Sequence, residues 1–455
     1  MNRRALIKSA LAAAGATASN QALVGGLSLL SSYSAAGSQH LSDNKTIVMV
    51  YLNGGMDSLS LLIPTEGGGY TTYKNLRQHL ATPQANLIQL SGTEYGAPDY
   101  CESMVNLFNS GKLSWISNVG PLRYPTTKKM IQNDDTVMPL FVGSHNSQEI
   151  MWQSASTDPN AREGWGAKIL ELLNLPTTTI PANISLNRAP LFTRSLLSPS
   201  FSVNPEGVQN LHRLNPLQPG EGLDLNLFYD IQKANRAPLL DREFATRNLR
   251  TLDESAFLSS VLENISEPQV SYPVDDNEEG QILQTQLKMA ARLIEAAPAL
   301  DHPRQVILVN MSAFDTHDNQ SRYLPSLLNS LFTNLEAFQR DLETRGIDDR
   351  VVTFSQSEFG RTPTINANGT DHGWGGHNFL MGTPVNGGQI AGEVPEFNVS
   401  TDKMLYNLSI PDFSVEQYAS NLAKWFGLSG SQIAEVFPNL SRFDDVDFGL
   451  LPNAS

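Results

Sequence analysis

Three apolar runs along the chain predict buried β-strands. They are "TIVMVYL" (46–52), "RQVILVNM" (304–311) and the weaker "RVVTFS" (350–355). Nearly continuous apolar runs are typical of strands that are covered on both faces of a parallel sheet, whereas a half-exposed strand would alternate apolar and polar residues. The pattern therefore favours an α/β protein.

Helical spacing separates the last two of these runs. The segment "LPSLLNSLFTNLEAFQRDLETRG" repeats apolar residues at helical intervals and ends at Gly346, which suits a helix C-terminus. Amphipathic helices are also predicted over 278–297 and 414–428. We expect a doubly wound, mostly parallel sheet flanked by helices, with ligands at the carboxyl ends of its strands. The Pro-, Asn-, Ser- and Leu-rich stretch at about 176–240 lacks periodicity and predicts a cap or insertion.

The first 36 residues predict an export signal. Arg3 and Arg4 precede an Ala- and Leu-rich stretch, and no acidic residue occurs before Asp43. This pattern resembles a twin-arginine signal, cut near Ala35 or Ala36, although an amphipathic N-terminal helix is the alternative. Its apolar runs are shorter than the ~20 residues of a membrane span. We therefore predict a periplasmic or secreted bacterial protein, with a single domain over 44–455 and no stable membrane span after processing.

Charge and cysteine content narrow the classes of function. The 455 residues carry a formal net charge of −15, which disfavours nucleic acid and anionic membrane surfaces as partners. The single cysteine, Cys101, excludes an internal disulfide and a cysteine-rich metal site. The sequence also lacks a dinucleotide-binding fingerprint and a redox cysteine pair, which disfavours an oxidoreductase.

Carboxylates and imidazoles follow the predicted strands. The candidate metal ligands are Asp57 after the first strand, Asp315 and His317 after the second, Glu358 after the third, and Asp371, His372 and His377 in the later "NGTDHGWGGHNF". Oxygen and imidazole donors together suit one or two divalent ions such as zinc, manganese or calcium. Without a metal, adjacent carboxylates would repel each other and take up protons. Asp57 could instead be the N-cap of the following helix without binding a metal. The glycine-rich loop with His372 and His377 could instead be a solvated turn.

A nucleophile is predicted in "PLFVGSHNSQEIMWQSAS" (139–156). Ser147 would lie at a helix N-terminus, where backbone N–H groups and the helix dipole stabilise an alkoxide. Ser144 and His145 are alternative candidates for the nucleophile. A purely structural explanation is also open, in which one of the serines is the N-cap of the helix and His145 is a surface turn residue. Arg361 suits an oxyanion because a guanidinium can hold two oxygens at once, or it forms a salt bridge to an acid such as Glu358.

Five segments together resemble a known family. "VMVYLNGGMDSLSLLIP", "SHNSQEIMWQSA", "FDTHDNQ", "SEFGRTP" and "TDHGWGGHNFLMG" occur in this order and look like the domain-of-unknown-function 1501 proteins. That family is placed in the alkaline phosphatase and sulfatase superfamily. The resemblance implies one or two divalent metals at the carboxyl edge of a parallel sheet and a hydroxyl nucleophile on a helix start. It assigns the acids and histidines as follows: Asp57 first, Ser147 as nucleophile, Asp315 with His317, Glu358, and His372 or His377 last.

The chain also departs from the superfamily pattern. The "DTH" spacing is narrower than usual, and Glu358-Phe359 stands where an Asp-His pair is usual, while Asp371-His372 comes later. The resemblance thus implies one of two things: the Asp-His pair has moved to the later loop, or the site binds fewer metals than is usual in the superfamily. Two functions remain: an exported metal-dependent hydrolase of phosphate or sulfate esters acting on an anionic small molecule or polymer, and a non-catalytic exported binding or assembly protein.

Overall fold

The computed structural model describes residues 43–186, 190–198, 200–207, 225–234, 238–274 and 276–452. The predicted export signal lies outside these residues. The described strands are β1 Lys45–Leu52, β2 Ile63–Pro64, β3 Leu87–Gln89, β4 Tyr95–Pro98, β5 Leu113–Gly120, β6 Asn183–Ser185, β7 Phe201–Ser202, β8 Arg304–Met311, β9 Val351–Gln356, β10 Arg361–Ile365, β11 Thr370–His372, β12 Gly376–Met381, β13 Ile390–Ala391, β14 Met404–Leu405, β15 Leu408–Ser409 and β16 Phe413–Ser414. The described α-helices are α1 Gly67–Arg77, α2 Glu102–Asn109, α3 Lys128–Asn133, α4 His145–Ser154, α5 Trp165–Leu172, α6 Leu225–Lys233, α7 Leu239–Leu262, α8 Glu278–Glu295, α9 Gln320–Arg345, α10 Val415–Phe426 and α11 Gly430–Val436.

A central nine-stranded sheet organises the chain. Its order is β13-β5-β12-β9-β1-β8-β6-β7, with β16 also pairing with β5. The pairs of β1 with β8 and with β9 are parallel, while β12 is antiparallel to both β5 and β9. The expected mostly parallel sheet is confirmed. Because β12 runs in the opposite direction, its first residues lie at the edge where β1, β8 and β9 end.

The two faces of the sheet explain the apolar run of β1. Val48 and Val50 pack into one hydrophobic cluster with α8 and α9. Ile47 and Met49 pack into a second cluster with α5 and α10. Since successive strand residues point to opposite faces, a strand that is covered twice needs apolar residues at every position. Helices on both faces confirm the doubly wound arrangement.

The helix between β8 and β9 begins earlier than its sequence pattern predicts. It starts at Gln320 and ends at Arg345, and Gly346 caps it with φ +64°. The predicted insertion at 176–240 contains two short strands, β6 and β7, that extend the sheet beside β8. Strands of three and two residues are too short to show periodicity, so the sequence did not predict them. Residues 187–189, 199, 208–224 and 235–237 of this segment lie outside the described part. None of the described helices has both the length and the hydropathy of a membrane span.

Candidate metal centre

Four side chains meet at the carboxyl edge of the sheet. His145 is the first residue of α4, Asp315 and His317 follow β8, and His372 ends β11. In the described residues, one group of at least three possible ligands has donor atoms within 4.8 Å of one another, namely His145, Asp315 and His372. The His317 Nε2 atom lies next to this group, 3.2 Å from Asp315 Oδ1 and 2.7 Å from His372 Nε2, although His317 is outside the set whose donors all lie within 4.8 Å of one another. We call these four residues, as a candidate site for an ion, the metal centre.

The Nδ1 atoms of the three imidazoles all face oxygen acceptors. His145 Nδ1 lies 2.6 Å from Glu358 Oε1, and His372 Nδ1 lies 2.7 Å from the Gly143 carbonyl oxygen. His317 Nδ1 lies 3.3 Å from Asp371 Oδ1. Each acceptor favours the tautomer with its proton on Nδ1. The Nε2 lone pairs are then available on the side of Asp315.

This arrangement fits a divalent cation. Two unprotonated Nε2 atoms at the 2.7 Å separation of His317 and His372 would repel each other unless a proton or a cation lies between them. Imidazole nitrogens whose other ring nitrogen is held by a carboxylate or carbonyl are the usual ligands of zinc. The metal centre is also accessible, since Asp315 exposes 49% and His317 41% of the side chain. The donor set therefore matches a metal site that is open to a further ligand.

Glu358 supports the metal centre from below. Its side chain is only 1% exposed, and Oε1 accepts a hydrogen bond from the Gly54 N–H at 2.9 Å in addition to facing His145. The Gly54 backbone has φ +121°, and a Cβ there would lie 2.3 Å from the Asp315 nitrogen. The glycine pair after β1 is thus needed for close approach of the strand-exit loops. Glu358 is predicted as a ligand, whereas the structure places it as the hydrogen-bond partner of His145.

Arg361 is placed differently from its predicted oxyanion-binding role. Its Nε donates to the Gly55 carbonyl at 2.7 Å and its Nη1 to the Thr370 carbonyl at 2.9 Å. Its Nη2 donates to the Gly54 carbonyl and to Asp315 Oδ1, the latter at 2.5 Å. All three nitrogens are occupied in a fully buried side chain. Arg361 therefore connects three loops and fixes Asp315; the salt bridge foreseen as its alternative exists, but to Asp315 instead of Glu358.

Asp57 lies apart from the metal centre. Its carboxylate forms a bidentate ion pair with Arg77, at 2.6 and 2.8 Å. Oδ2 also accepts hydrogen bonds from Ser60 and Gln320, each at 2.7 Å. Both members of the ion pair are buried. Because both oxygens accept hydrogen bonds from these donors and the side chain is fully buried, the structure does not bring Asp57 into a ligand position. Asp57 is the N-cap residue of the short 3₁₀ helix Ser58–Ser60.

His377 is buried in β12 and is likewise separate from the metal centre. Its Nδ1 accepts a hydrogen bond from the Asn118 N–H at 3.1 Å. Burial lowers the pKa of His377 to about 4, so the imidazole is neutral and carries its proton on Nε2. A protonated Nε2 has no lone pair for a metal. Asp371, another predicted ligand, faces the Nδ1 of His317, so the structure gives it a supporting position like that of Glu358.

Ser147, the predicted nucleophile, lies on the first turn of α4. Its hydroxyl is 3.4 Å from the Ser144 hydroxyl, and in the described part of the chain no hydrogen bond joins it to the metal centre. Ser144 is the N-cap residue of α4. The residue that does reach the metal centre from this segment is His145, which the sequence offered only as an alternative nucleophile. The available signal was its position one residue after an N-cap serine, at the edge where the strands end.

Neighbouring groups shift the pKa values of the residues in the metal centre. The hydrogen bond to Glu358 raises the pKa of His145 above its usual value. Burial lowers the pKa of His372, and the nearby Arg361 adds to this effect. Burial alone would raise the pKa of Asp315, but the hydrogen bond and charge of Arg361 leave it below its usual value. Asp315 is therefore a carboxylate at neutral pH.

Fold and site together define an α/β protein with a candidate histidine–aspartate metal centre at the carboxyl edge of a mostly parallel sheet. The chain belongs to the family described as "Protein of unknown function (DUF1501)", which matches residues 44–437. No curated protein sequence matches the chain significantly.

Two solved structures align with most of the chain at low similarity. The crystal structure of Ps i-CgsB in complex with k-i-k-neocarrahexaose has a TM-score of 0.35 and 10% sequence identity, and the alignment covers 88% of this chain and 72% of that one. The crystal structure of the PsFucS1 sulfatase from Pseudoalteromonas sp. has a TM-score of 0.34 and 10% identity, with 94% of this chain and 75% of that one covered.

Proposed function

We propose that the protein is an exported metal-dependent hydrolase of phosphate or sulfate esters, acting on an anionic small molecule or polymer. The observation that carries the proposal is the convergence of three imidazole Nε2 atoms on the Asp315 carboxylate. Four donors are enough for one ion, and imidazole-rich sites suit zinc or manganese better than calcium, which prefers six to eight oxygen ligands.

Each residue of the metal centre and its surroundings has a role in this proposal. Asp315 and the three histidines would hold the ion. Glu358 keeps the Nε2 of His145 directed at the metal centre, and Arg361 fixes the Asp315 carboxylate. When bound, a divalent ion would supply Lewis acidity and stabilise charge that develops on the ester oxygens. The partial exposure of Asp315 leaves an approach for the substrate.

The role of Ser147 as nucleophile remains part of the proposal. It lies two residues after His145 on the first turn of α4, where the backbone N–H groups favour negative charge. The variant Ser147→Ala separates this role from metal binding. We expect it to retain zinc and to lose at least about 100-fold in kcat if its hydroxyl attacks the ester. Unchanged kcat would assign the attack to water.

The test of the proposed function begins with bound metal. The full chain is purified and its metal content is measured by mass spectrometry. p-Nitrophenyl phosphate, bis-p-nitrophenyl phosphate and p-nitrophenyl sulfate are then assayed with added zinc, manganese or calcium. We expect one equivalent of metal and turnover of one ester, both lost in His372→Ala. His79→Ala is the matched control, because His79 is exposed in a separate 3₁₀ helix. A wild-type chain that binds no metal would contradict the proposal.

A non-catalytic exported binding or assembly protein is the second candidate. The observation that favours it is Arg361, whose fully buried guanidinium uses all three of its nitrogens to bind carbonyl oxygens and Asp315 and so does not face an incoming oxyanion. Metal-loaded protein that turns over none of the three esters would support this second candidate. The metal centre would then bind its partner through an oxygen or nitrogen ligand.

A further inference from the structure

The loop before α4 carries an exposed aromatic ring on a strained backbone. Phe141 has φ +60° and is 63% exposed. A left-handed conformation is costly for a bulky residue, and such outliers are concentrated at functional sites. Exposure of the ring gives up the hydrophobic free energy of burying it. Tyr406 has the same two properties, so what sets Phe141 apart is its position in the chain just before the metal centre.

The position of Phe141 links this ring to the metal centre. The Ser144 N–H donates to the Phe141 carbonyl at 3.0 Å, which closes a four-residue turn. Gly143 occupies the third position of that turn with φ +81°. Its carbonyl oxygen is the acceptor that orients His372, and His145 follows the turn directly. The turn therefore holds the backbone of Phe141 close to the metal centre, and the exposed ring extends from this part of its rim.

Another part of the rim is polar and acidic. Asn366 Nδ2 donates to Asp371 Oδ1 at 2.9 Å, and Asn368 Nδ2 donates to Asp318 Oδ1 at 2.8 Å. These four side chains belong to the two loops that carry His317 and His372. Carboxylates and amides together supply the acceptors and donors that neighbouring hydroxyl groups need.

The local charge limits the number of anionic groups on a ligand. Among the described residues in the metal centre, in its rim and directly behind it, the carboxylates Asp315, Asp318, Asp371 and the buried Glu358 outnumber the single buried guanidinium of Arg361. One divalent ion offsets only part of this excess. A chain with many sulfate or phosphate groups would be repelled, whereas a single ester group directed at the ion is compatible with the site.

We propose that the rim binds the ring of an otherwise neutral sugar that carries one ester group, with Phe141 stacked on the apolar face of the ring. The inference rests on the proposed function, because it places the ester at the metal centre. The Asn366–Asp371 and Asn368–Asp318 pairs receive the ring hydroxyls. Phe141 is thus a specificity-determining residue that acts on the alcohol part of the substrate.

The test compares two phosphate esters that differ in their ring. Binding of glucose 6-phosphate and of glycerol 3-phosphate to the zinc-loaded full chain is measured by isothermal titration calorimetry, with glucose 6-sulfate as the sulfate counterpart. We expect both glucose esters to bind about tenfold more tightly than glycerol 3-phosphate. Phe141→Ala should abolish this preference and Phe141→Trp should retain it. Leu240→Ala, which removes another highly exposed apolar side chain on α7, should leave it unchanged.

A further variant separates binding from folding. Asparagine tolerates the left-handed region, so Phe141→Asn should lose the ring preference while its Tm stays the same or rises. Equal affinity for the ring and acyclic esters, or a tenfold preference that survives Phe141→Ala, would overturn the inference. Ring preference without hydrolysis of any ester would support the inference and remove the hydrolase function, so the two failures are distinguishable.

Discussion

Two aspartates that follow neighbouring strands illustrate opposite uses of a carboxylate. Asp57 comes after β1 and is sealed by Arg77, Ser60 and Gln320. Asp315 comes after β8, is 49% exposed, and faces imidazole nitrogens as well as one guanidinium. Position at the carboxyl edge of the sheet is common to both. What differs is whether donors from the protein saturate the oxygens.

The comparison teaches that a binding site is recognised by lone pairs of oxygen or nitrogen atoms that no donor of the protein engages. A buried carboxylate with a bidentate arginine has no capacity left for a cation, and its role is to hold α1 against the sheet-edge loops. The metal centre instead presents several lone pairs that only a proton or cation can reconcile. The two regions should therefore respond differently to substitution: the Asp57 region in stability, the Asp315 region in metal affinity.

The largest effect is expected from breaking the buried ion pair. Asp57→Ala leaves the Arg77 guanidinium uncompensated in a dry environment, which should lower the free energy of unfolding by about 3–5 kcal/mol. Urea denaturation of the zinc-free chain measures this change. Zinc affinity of the folded fraction should stay within about twofold of wild type, because the hydrogen-bond partners of Asp57 named above lie outside the metal centre.

An exposed ion pair provides the control for this prediction. Glu243 and Arg247 pair across one turn of α7 at 3.0 Å with both side chains largely exposed. Glu243→Ala should change the free energy of unfolding by less than about 0.5 kcal/mol. If Asp57→Ala were equally mild and instead released zinc, the separation of the two regions would be wrong.

The buried His377 should make the free energy of unfolding sensitive to acid. Burial lowers its folded-state pKa from the usual 6.5 to about 4, so the unfolded chain binds the extra proton between these pH values. The stability from the neutral imidazole is full above pH 6.5 and is lost as the pH falls toward 4, by about 3 kcal/mol in total. His377→Gln should flatten this part of the profile of unfolding free energy against pH. His79→Gln, at an exposed site, should leave the profile as steep as in wild type; an unchanged slope in His377→Gln would refute the assignment.

The sequence predicted the central strands and long helices of the fold, but not the strands β12, β6 and β7 that pair beside them. The continuous apolar runs of β1 and β8 and the amphipathic α9 follow from burial on one or two faces, which leaves a periodic signal. β12 was not predicted because its antiparallel direction depends on tertiary pairing with β5 and β9. The short strands of 176–240 have no measurable period.

The sequence located the candidate site but not the part each residue plays in it. Asp315, His317 and His372 were predicted at strand exits, and the structure brings them together. Asp57 is predicted as a ligand, whereas the structure pairs it with Arg77 at the end of α1, a partner that no motif marks. His145 lies in a turn-like "GSHNS" segment, and only the packing of α4 against the sheet edge directs its ring to the metal centre.

Removing the exposed carboxylate should affect metal and leave the fold intact. Asp315→Asn takes away the one negative ligand of the metal centre, so zinc affinity measured by chelator competition should fall at least about 100-fold. The amide oxygen of asparagine can still accept a hydrogen bond from Arg361, but this fully buried guanidinium loses its carboxylate partner. The free energy of unfolding of the zinc-free chain should therefore fall by about 1–2 kcal/mol, less than in Asp57→Ala. Full zinc affinity in this variant would show that the cation lies elsewhere. Asp99→Asn, which changes another exposed aspartate in a separate 3₁₀ helix, is the matched control.

Glu358→Gln should have the smallest effect on zinc affinity. It decides whether Glu358 binds the ion directly or only holds His145 in place. If Glu358 only holds His145, the variant keeps that imidazole in place, because the amide oxygen still accepts the Nδ1 proton while the negative charge is lost. Zinc affinity should then fall about tenfold, at the lower end of the range for partners of metal ligands. Glu416→Gln changes another buried carboxyl, on α10, whose pKa burial raises to about 7, and it should leave zinc affinity unchanged. A loss in Glu358→Gln as large as that in Asp315→Asn would make Glu358 a direct ligand, as its sequence position suggested, and would move the ion from the Nε2 side of His145 to the Nδ1 side, where Glu358 lies.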